Sequence, residues 1–195
     1  MMTSRPSLEA AYFDDIFESD NDPWDLATSP YEAAKFQVTH DVLADQRYAH
    51  ALEVGCAHGI LTEKLAGLCD RLLAIDISSK ALAKARSRVG ARPGVSLEWM
   101  AFPRETPEGP PFDLVILSEV AYYWGVVDLD RASEWLRDGV APGGRVILVH
   151  YTGETDYPQG GDEAVDTLWA VLETTFEQMR HDRHDGYRLD LWRRR

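Results

Sequence analysis

Ala51-Leu52-Glu53-Val54-Gly55-Cys56-Ala57-His58-Gly59 is an apolar run that ends in a glycine-containing turn and leads directly into a helical pattern. This order is typical of the first strand, turn and helix of an open α/β sheet that binds a nucleotide or a nucleoside. A dinucleotide fingerprint that starts at Gly55 would need glycines at positions 57 and 60, where the chain has Ala57 and Ile60. Close approach of a pyrophosphate to this backbone is therefore disfavoured.

Apolar runs and helical patterns alternate on either side of this turn. Ser29-Pro30-Tyr31-Glu32 combines an N-cap serine, a proline at the first helical position and the acid of a capping box, which predicts a helix from about residue 30 to 44. The alternation predicts an α/β fold with a mostly parallel, doubly wound sheet and helices on both faces. Asp185-Gly186, between two late runs, predicts a closing antiparallel hairpin. The predicted strands cover 49–55, 71–77, 95–100, 112–117, 145–150 and 187–192, and further helices cover 59–68, 79–89, 128–138 and a segment after Gly161.

Composition limits the partners that the chain can bind. Its 195 residues are 45% hydrophobic and carry a formal net charge of -13. The length predicts one domain, and the negative charge disfavours a nucleic-acid partner.

We expect a helical lid segment over 1–45, mobile over 1–28 without ligand, on a core over 46–195. No long apolar run or leader pattern is present, so we expect a cytoplasmic protein without a membrane span. The two cysteines do not have metal-ligand spacing, no metal is predicted, and the oligomeric state stays open.

Four motifs in order resemble those of the class I S-adenosylmethionine-dependent methyltransferases. Glu53 to Gly59 resembles motif I, and Asp76, 23 residues after Glu53, resembles motif II. The segment from Phe112 to Val120 resembles motif IV, and Ala141-Pro142-Gly143-Gly144 resembles the family's turn into the fifth strand. The resemblance implies a Rossmann-like fold with S-adenosyl-L-methionine as methyl donor and S-adenosyl-L-homocysteine as product.

A narrower resemblance rests on four further segments: Asp22-Pro23-Trp24, Thr28 to Glu32 with Lys35, Ser118-Glu119-Val120 with Tyr122-Tyr123, and Gly160-Gly161-Asp162-Glu163. These segments resemble those of the NodS group, the nodulation N-methyltransferases and their relatives. The resemblance implies N-methylation of a small-molecule amine of the amino-sugar type. The alternatives are an O-methyltransferase of a small metabolite and a donor-binding module without chemistry of its own, and an NAD-dependent oxidoreductase ranks below both.

The residues expected to bind the donor lie in the turn, at strand ends and in the N-terminal segment. Asp76 can accept two hydrogen bonds from ribose hydroxyls, although a helix-capping role is the alternative. Glu53 can face the donor's ammonium group, with a solvated strand-end acid as the alternative. Lys35 or Tyr31 is available to the donor's carboxylate, and adenine recognition through backbone and apolar contacts is expected without an acid at residues 100–102. The complete expected set is Trp24, Tyr31, Lys35, Glu53, Gly55, Cys56, Gly59, Asp76, Ile77, Ala101, Phe102 and Ser118.

The catalytic candidates follow the fourth and fifth predicted strands. Glu119 and His150 are expected to accept or relay the ammonium proton of the acceptor, and Tyr122 and Tyr123 are expected to orient the acceptor. Packing of the aromatic residues and a hydrogen-bonding role for His150 are the alternatives. His58 is expected to be an exposed loop side chain, and the acidic run from Asp14 to Asp22 is expected to be solvated.

Overall fold

The computed structural model describes residues 5–195. The chain packs as two units: an amino-terminal unit, Glu9–Met100, and a carboxyl-terminal unit that combines residues 5–8 with Ala101–Arg195. This division falls after Met100, whereas the expected lid boundary at residue 45 stays a prediction. The first four residues of the expected lid segment lie outside the described range. Across residues 5–195, no helix has the length and apolar composition needed to cross a bilayer.

The amino-terminal unit is a three-stranded parallel sheet with helices between its strands. β1 pairs in parallel with β2, and β2 pairs in parallel with β3. The N-cap role of Ser29 is confirmed, because its side chain accepts a hydrogen bond from the Glu32 N–H at the start of α2. The helices are α1 (Ala10–Ser19), α2 (Pro30–Leu43), α3 (Ile60–Leu65) and α4 (Ser79–Val89), and the strands are β1 (Ala51–Val54), β2 (Leu72–Asp76) and β3 (Val95–Trp99).

The carboxyl-terminal unit contains the mixed part of the fold. β4 pairs in parallel with β5, and β7 pairs antiparallel with both β5 and β6, so the predicted closing hairpin is confirmed. β5 is longer than predicted, because Val140 already pairs with Phe112, and the pairing resumes at Leu114 with Arg145 after a register shift. The elements are β4 (Phe112–Ser118), α5 (Val126–Gly139), β5 (Val140–Tyr151), α6 (Gly161–Leu172), β6 (Phe176–Arg183) and β7 (Tyr187–Arg194).

The strands appear in the sequence as apolar runs because their side chains are buried. All four residues of β1 and the stretch Val146–Val149 of β5 are buried, as expected for parallel strands covered on both faces. In the amino-terminal unit, Leu82 and Ala85 of α4 pack against Cys56 of the glycine turn. The position of the turn therefore depends on how closely α4 approaches it.

Gly59 is required by this close approach. It has a φ of +77°, in the left-handed region, and a Cβ added there would lie 3.1 Å from Val89 Cγ2 and 3.2 Å from Ala85 Cβ. Any other residue would be strained at this backbone conformation and would also press on α4.

Gly59→Ala should therefore lower the free energy of unfolding by about 1–2 kcal/mol, the cost of a left-handed conformation in a residue with a Cβ. The control is Gly67→Ala, in the short 3₁₀ turn after α3, where an added Cβ meets no atom within 4 Å. This variant should be neutral or slightly stabilising. Urea unfolding followed by circular dichroism measures both, and equal losses would contradict the role given to Gly59.

Candidate active site

Asp76 ends β2 and holds the glycine turn and α4 together. Its Oδ2 accepts the Ala57 N–H at 2.8 Å, and its Oδ1 accepts the Ser78 N–H at 2.8 Å. The carboxyl group is buried, and this burial raises its pKa to about 6, although the Ser78 and Ala57 N–H groups oppose the shift. Asp76 does not cap α4, because the Ser78 hydroxyl accepts the Ala81 N–H at 3.1 Å. The carboxylate is therefore preorganised for further donors such as ribose hydroxyls.

Asp14 of α1 reaches the same corner of the amino-terminal unit. It accepts a hydrogen bond from the Ser78 hydroxyl at 2.6 Å and from the Lys80 N–H at 3.3 Å. A negative charge beside the first turn of α4 is also favoured by the helix dipole. The expectation of a fully solvated acidic run is thus wrong at this position, because its partners come from a helix that is 64 residues away in sequence.

Glu53 lies in β1 and is buried rather than solvated. Its Oε2 accepts a hydrogen bond from Thr62 Oγ1 at 2.6 Å, and the residue is 2% exposed. Burial raises the pKa of Glu53 to about 8, so the group is mainly protonated at neutral pH. An ammonium group placed beside it would favour the ionised form.

The backbone of the turn is organised by hydrogen bonds. The N–H groups of Gly55 and Cys56 both donate to the Ile75 carbonyl, at 2.8 and 3.0 Å. Ile77 is held from β3, where Trp99 Nε1 donates to its carbonyl at 2.7 Å. The Cys56 thiol is buried, and burial raises its pKa well above the usual value, so it is a neutral packing group.

The three donor-binding candidates of the N-terminal segment differ in burial: Lys35 is buried, whereas Tyr31 and Trp24 are exposed. Lys35 is 3% exposed, and its Nζ lies 2.9 Å from Glu32 Oε1 and 5.3 Å from the centre of the Tyr31 ring. Tyr31 and Trp24 are 40% and 38% exposed, and the Trp24 ring packs edge-on against Phe17 at 5.6 Å. Their contacts with a donor stay predictions.

His58 is buried, so the expectation of an exposed loop side chain is wrong. Its Nε2 lies 3.3 Å from Asp22 Oδ1, and its ring packs edge-on against Phe17 at 5.7 Å. Burial lowers the pKa of His58 despite the nearby carboxylate. The chain beyond α1 folds back over the glycine turn, a long-range contact that sequence spacing does not reveal.

In the carboxyl-terminal unit, the expected adenine-reading segment is partly used for packing. Phe102 is buried, and its ring contacts those of Trp124 and Trp135 at 5.5 and 5.1 Å. The Ala101 N–H donates to Glu105 Oε2 at 3.0 Å. An acid is thus present beside this segment, four residues after Ala101 and outside residues 100–102.

Glu119 follows Ser118, the last residue of β4, and has an unusual backbone. Its φ is +55°, which is uncommon for a residue with a Cβ. Its Oε2 accepts the Tyr122 hydroxyl at 2.8 Å and the Tyr151 N–H at 2.9 Å. Both contacts fix the carboxylate at the carboxyl end of β4.

Tyr122 and His150 lie beside Glu119, so the three catalytic candidates are brought together. The Tyr122 and His150 rings are 5.5 Å apart and both side chains are buried. His150 Nε2 accepts the Ala121 N–H at 3.0 Å, which places the ring proton of a neutral imidazole on Nδ1. Sequence reasoning missed Tyr157, whose ring stacks on that of Tyr122 at 5.3 Å from the loop before α6. Within residues 5–195, no group of three or more potential ligands is placed to bind a metal ion.

Comparison with known proteins shows the family of the chain. The family model for Nodulation protein S (NodS) matches residues 14–152. Nodulation protein S of Rhizobium tropici is 36% identical over 155 residues, which cover 78% of this chain and 64% of that protein. The protein of the same name from Bradyrhizobium diazoefficiens is 33% identical over 162 residues, 82% of this chain and 77% of that protein. The chain therefore spans just under two thirds of the R. tropici protein.

A solved structure extends the comparison to the fold. The N-methyltransferase NodS from Bradyrhizobium japonicum WM9, in complex with S-adenosyl-L-homocysteine, superposes with a TM-score of 0.78 at 23% identity. The match covers 95% of this chain and 97% of that one. The fold is that of the class I S-adenosylmethionine-dependent methyltransferases, so the fold predicted from the sequence is confirmed. The chain belongs to the NodS family.

Binding of S-adenosyl-L-homocysteine should weaken as the pH falls below about 6, because the ribose hydroxyls are expected to donate to the ionised form of Asp76. Asp76→Asn should bind roughly 10- to 150-fold more weakly above this pH, equivalent to about 1.5–3 kcal/mol for hydrogen bonds to a charged group, and should lose the inflection. Isothermal titration calorimetry from pH 5 to 9 measures both effects.

Glu53→Gln is the matched control for this titration. It keeps an oxygen for the Thr62 hydroxyl but removes the group whose pKa is about 8, so an inflection near pH 6 should survive in it. An inflection near 6 that persists in Asp76→Asn would assign the titration to another group.

Proposed function

We propose that the chain transfers the methyl group of S-adenosyl-L-methionine to an amine on a small acceptor of the amino-sugar type. Its family supports this proposal, as does the product nucleoside bound to the solved NodS relative. The proposal assigns donor recognition to Asp76 and Glu53, whose carboxyl groups match the ribose hydroxyls and the ammonium group of the donor in hydrogen-bonding character.

The observation that carries the proposal is the fixed carboxylate of Glu119. A left-handed conformation outside glycine costs on the order of 1–3 kcal/mol and persists where surrounding contacts impose it. Here the hydroxyl of Tyr122 and the N–H of Tyr151 impose it. A carboxylate held at a strand end in an acidic protein attracts an ammonium ion and can accept its proton.

The hydrogen bonds favour Glu119 over His150 as the proton acceptor. His150 Nε2 is engaged by the Ala121 N–H, which gives this side chain a role in holding the turn after β4. Tyr122 donates to Glu119 and so orients the carboxylate. We therefore assign proton acceptance to Glu119 and positioning to the other two side chains.

The chemistry sets two requirements. An ammonium ion has no lone pair, so the acceptor must lose a proton before its nitrogen can attack the donor's methyl carbon. The nitrogen, the methyl carbon and the sulfur must then be aligned at near-attack distance. Transfer forms a carbon–nitrogen bond, breaks the carbon–sulfur bond and releases S-adenosyl-L-homocysteine.

The decisive experiment screens acceptors for formation of S-adenosyl-L-homocysteine, with mass spectrometry of the methylated product. Glucosamine and its β-1,4-linked dimers and tetramers are tested beside their N-acetylated forms, which have the same hydroxyls but no free amine. Methylation restricted to the free amines is expected. Equal methylation of the acetylated sugars would indicate O-methylation, and donor binding without turnover would indicate a binding module.

Glu119→Gln should reduce the rate mainly below the pKa of the acceptor amine and much less above it, because a neutral amine needs no proton acceptor. Steady-state rates across this pH range measure the effect. Glu173→Gln, an exposed acid at the end of α6, should leave the profile unchanged. A uniform loss across the profile in Glu119→Gln would assign Glu119 a packing role.

A further inference from the structure

Three tyrosine side chains form a series of contacts that leads away from the Glu119 carboxylate. The Tyr122 hydroxyl bonds to Glu119, and the side chain of Tyr123 hydrogen-bonds with those of both Tyr122 and Tyr157. The rings form one cluster: Tyr123 packs edge-on against Tyr122 and Tyr157, each at 4.6 Å. A continuous path of hydroxyl groups thus starts at the Glu119 carboxylate.

The path runs from a buried end to a more exposed one. Tyr122 and Tyr123 are 5% and 9% exposed, whereas Tyr157 is partly exposed. Buried hydroxyls need partners, and the tyrosines supply them to one another. Phenylalanine would fill the same space without this requirement, so the hydroxyls call for an explanation beyond ring packing.

Backbone contacts hold the path in place from both sides. The Gln159 N–H donates to the Tyr122 carbonyl at 3.1 Å, which ties the loop before α6 to the turn after β4. Arg5 Nη1 donates to the carbonyls of Asp156 and Tyr157 at 2.9 and 3.4 Å. The side chain of Tyr157 is therefore positioned by its own loop and by the residues that precede α1.

We propose that the hydroxyls of Tyr122, Tyr123 and Tyr157 form a proton relay that carries the acceptor's proton from Glu119 to solvent. The proposal rests on the proposed amine methylation and adds the route by which the proton leaves. Proton transfer is a new role for Tyr123, Tyr157 is a new residue, and both act through Glu119.

The proton balance of the relay is simple. The N–H bond of the ammonium ion breaks, its electron pair stays on nitrogen, and an O–H bond forms on Glu119. At rest the Tyr122 hydroxyl donates to Glu119, so protonation of Glu119 must be followed by a turn of the three hydroxyls, after which Tyr122 donates to Tyr123 and the Glu119 O–H donates to the Tyr122 oxygen. Glu119 then passes its proton to Tyr122, Tyr122 passes its own to Tyr123, Tyr123 passes one to Tyr157, and Tyr157 releases one to water. Each hydroxyl ends neutral and again donates toward Glu119, as at rest. The pKa values of Tyr122 and Tyr123 are raised well above the usual value by burial, which keeps both hydroxyls protonated between turnovers.

The test compares Tyr123→Phe, Tyr157→Phe and their combination, with glucosamine and its β-1,4-linked oligomers as acceptors. Below the amine's pKa each single variant should lose about 100-fold in kcat, the lower end of the range for positioned proton transfer, with little loss above it. The double variant should lose no more than the worse single variant, because a serial path is broken once. Added imidazole buffer should restore part of the rate, and KM for the donor should not change.

Tyr187→Phe is the matched control, because Tyr187 is 6% exposed in the same unit and its ring stacks on His184 at 4.4 Å. It should leave the pH profile unchanged. Charged or titratable groups in contact with the path or its loop include Glu119, His150 and Arg5, so profiles are fitted with Glu119→Gln as a reference. Additive losses, losses that are even across pH, or a lack of buffer rescue would overturn the relay.

A measurement on the wild-type protein keeps the relay testable if a variant fails to fold. In mixtures of H₂O and D₂O below the amine's pKa, the rate should fall along a bowed curve, because several protons move together. A linear dependence would overturn the relay while leaving amine methylation intact. A wild-type protein that methylates none of the amines overturns the proposed function, and with it the relay.

Discussion

A buried carboxylate must have its oxygens satisfied, and the amino-terminal unit is organised around this constraint at Asp76. One oxygen holds the glycine turn through Ala57 and the other holds the approach to α4 through Ser78. The strand end, the turn and the helix start are therefore positioned by one group. Removing an acceptor of this kind leaves buried N–H groups without partners, which is costly. Asp14 extends the same set of contacts to α1 through the Ser78 hydroxyl.

The carboxyl-terminal unit also holds a carboxylate in place by hydrogen bonds, but at a different kind of position. Glu119 is not sealed within a strand but stands at its end, in a left-handed conformation that its hydrogen bonds maintain. Asp76 has donors from the backbone on both oxygens, which suits a binding role. Glu119 has a tyrosine hydroxyl as a partner, and hydroxyl groups can both donate and accept. This difference in partners is the physical basis for assigning binding to one carboxylate and proton transfer to the other.

Local patterns predicted the fold well because the interactions behind them are local. Ser29 and Glu32 meet within one helical turn, and Asp185-Gly186 needs only its neighbours to form a hairpin turn. Buried parallel strands must be apolar on both faces, so their runs were visible without any knowledge of their partners. The errors have the opposite origin. His58 is buried by a loop that follows α1, and Asp14 finds its partner in α4, so neither burial nor pairing could be inferred from neighbouring residues.

The sequence by itself determined the alternation of strands and helices, the glycine turn, the acid at the end of β2 and the resemblance to a methyl-transferring family. These features depend on residue type and on short spacings. Tertiary structure alone decided that Glu53 is buried, that His150 is engaged by a backbone N–H, and that Tyr157 stacks on Tyr122. The reason is physical: the protonation and hydrogen bonding of a side chain depend on the solvent it loses and the groups it meets, and those groups come from distant parts of the chain.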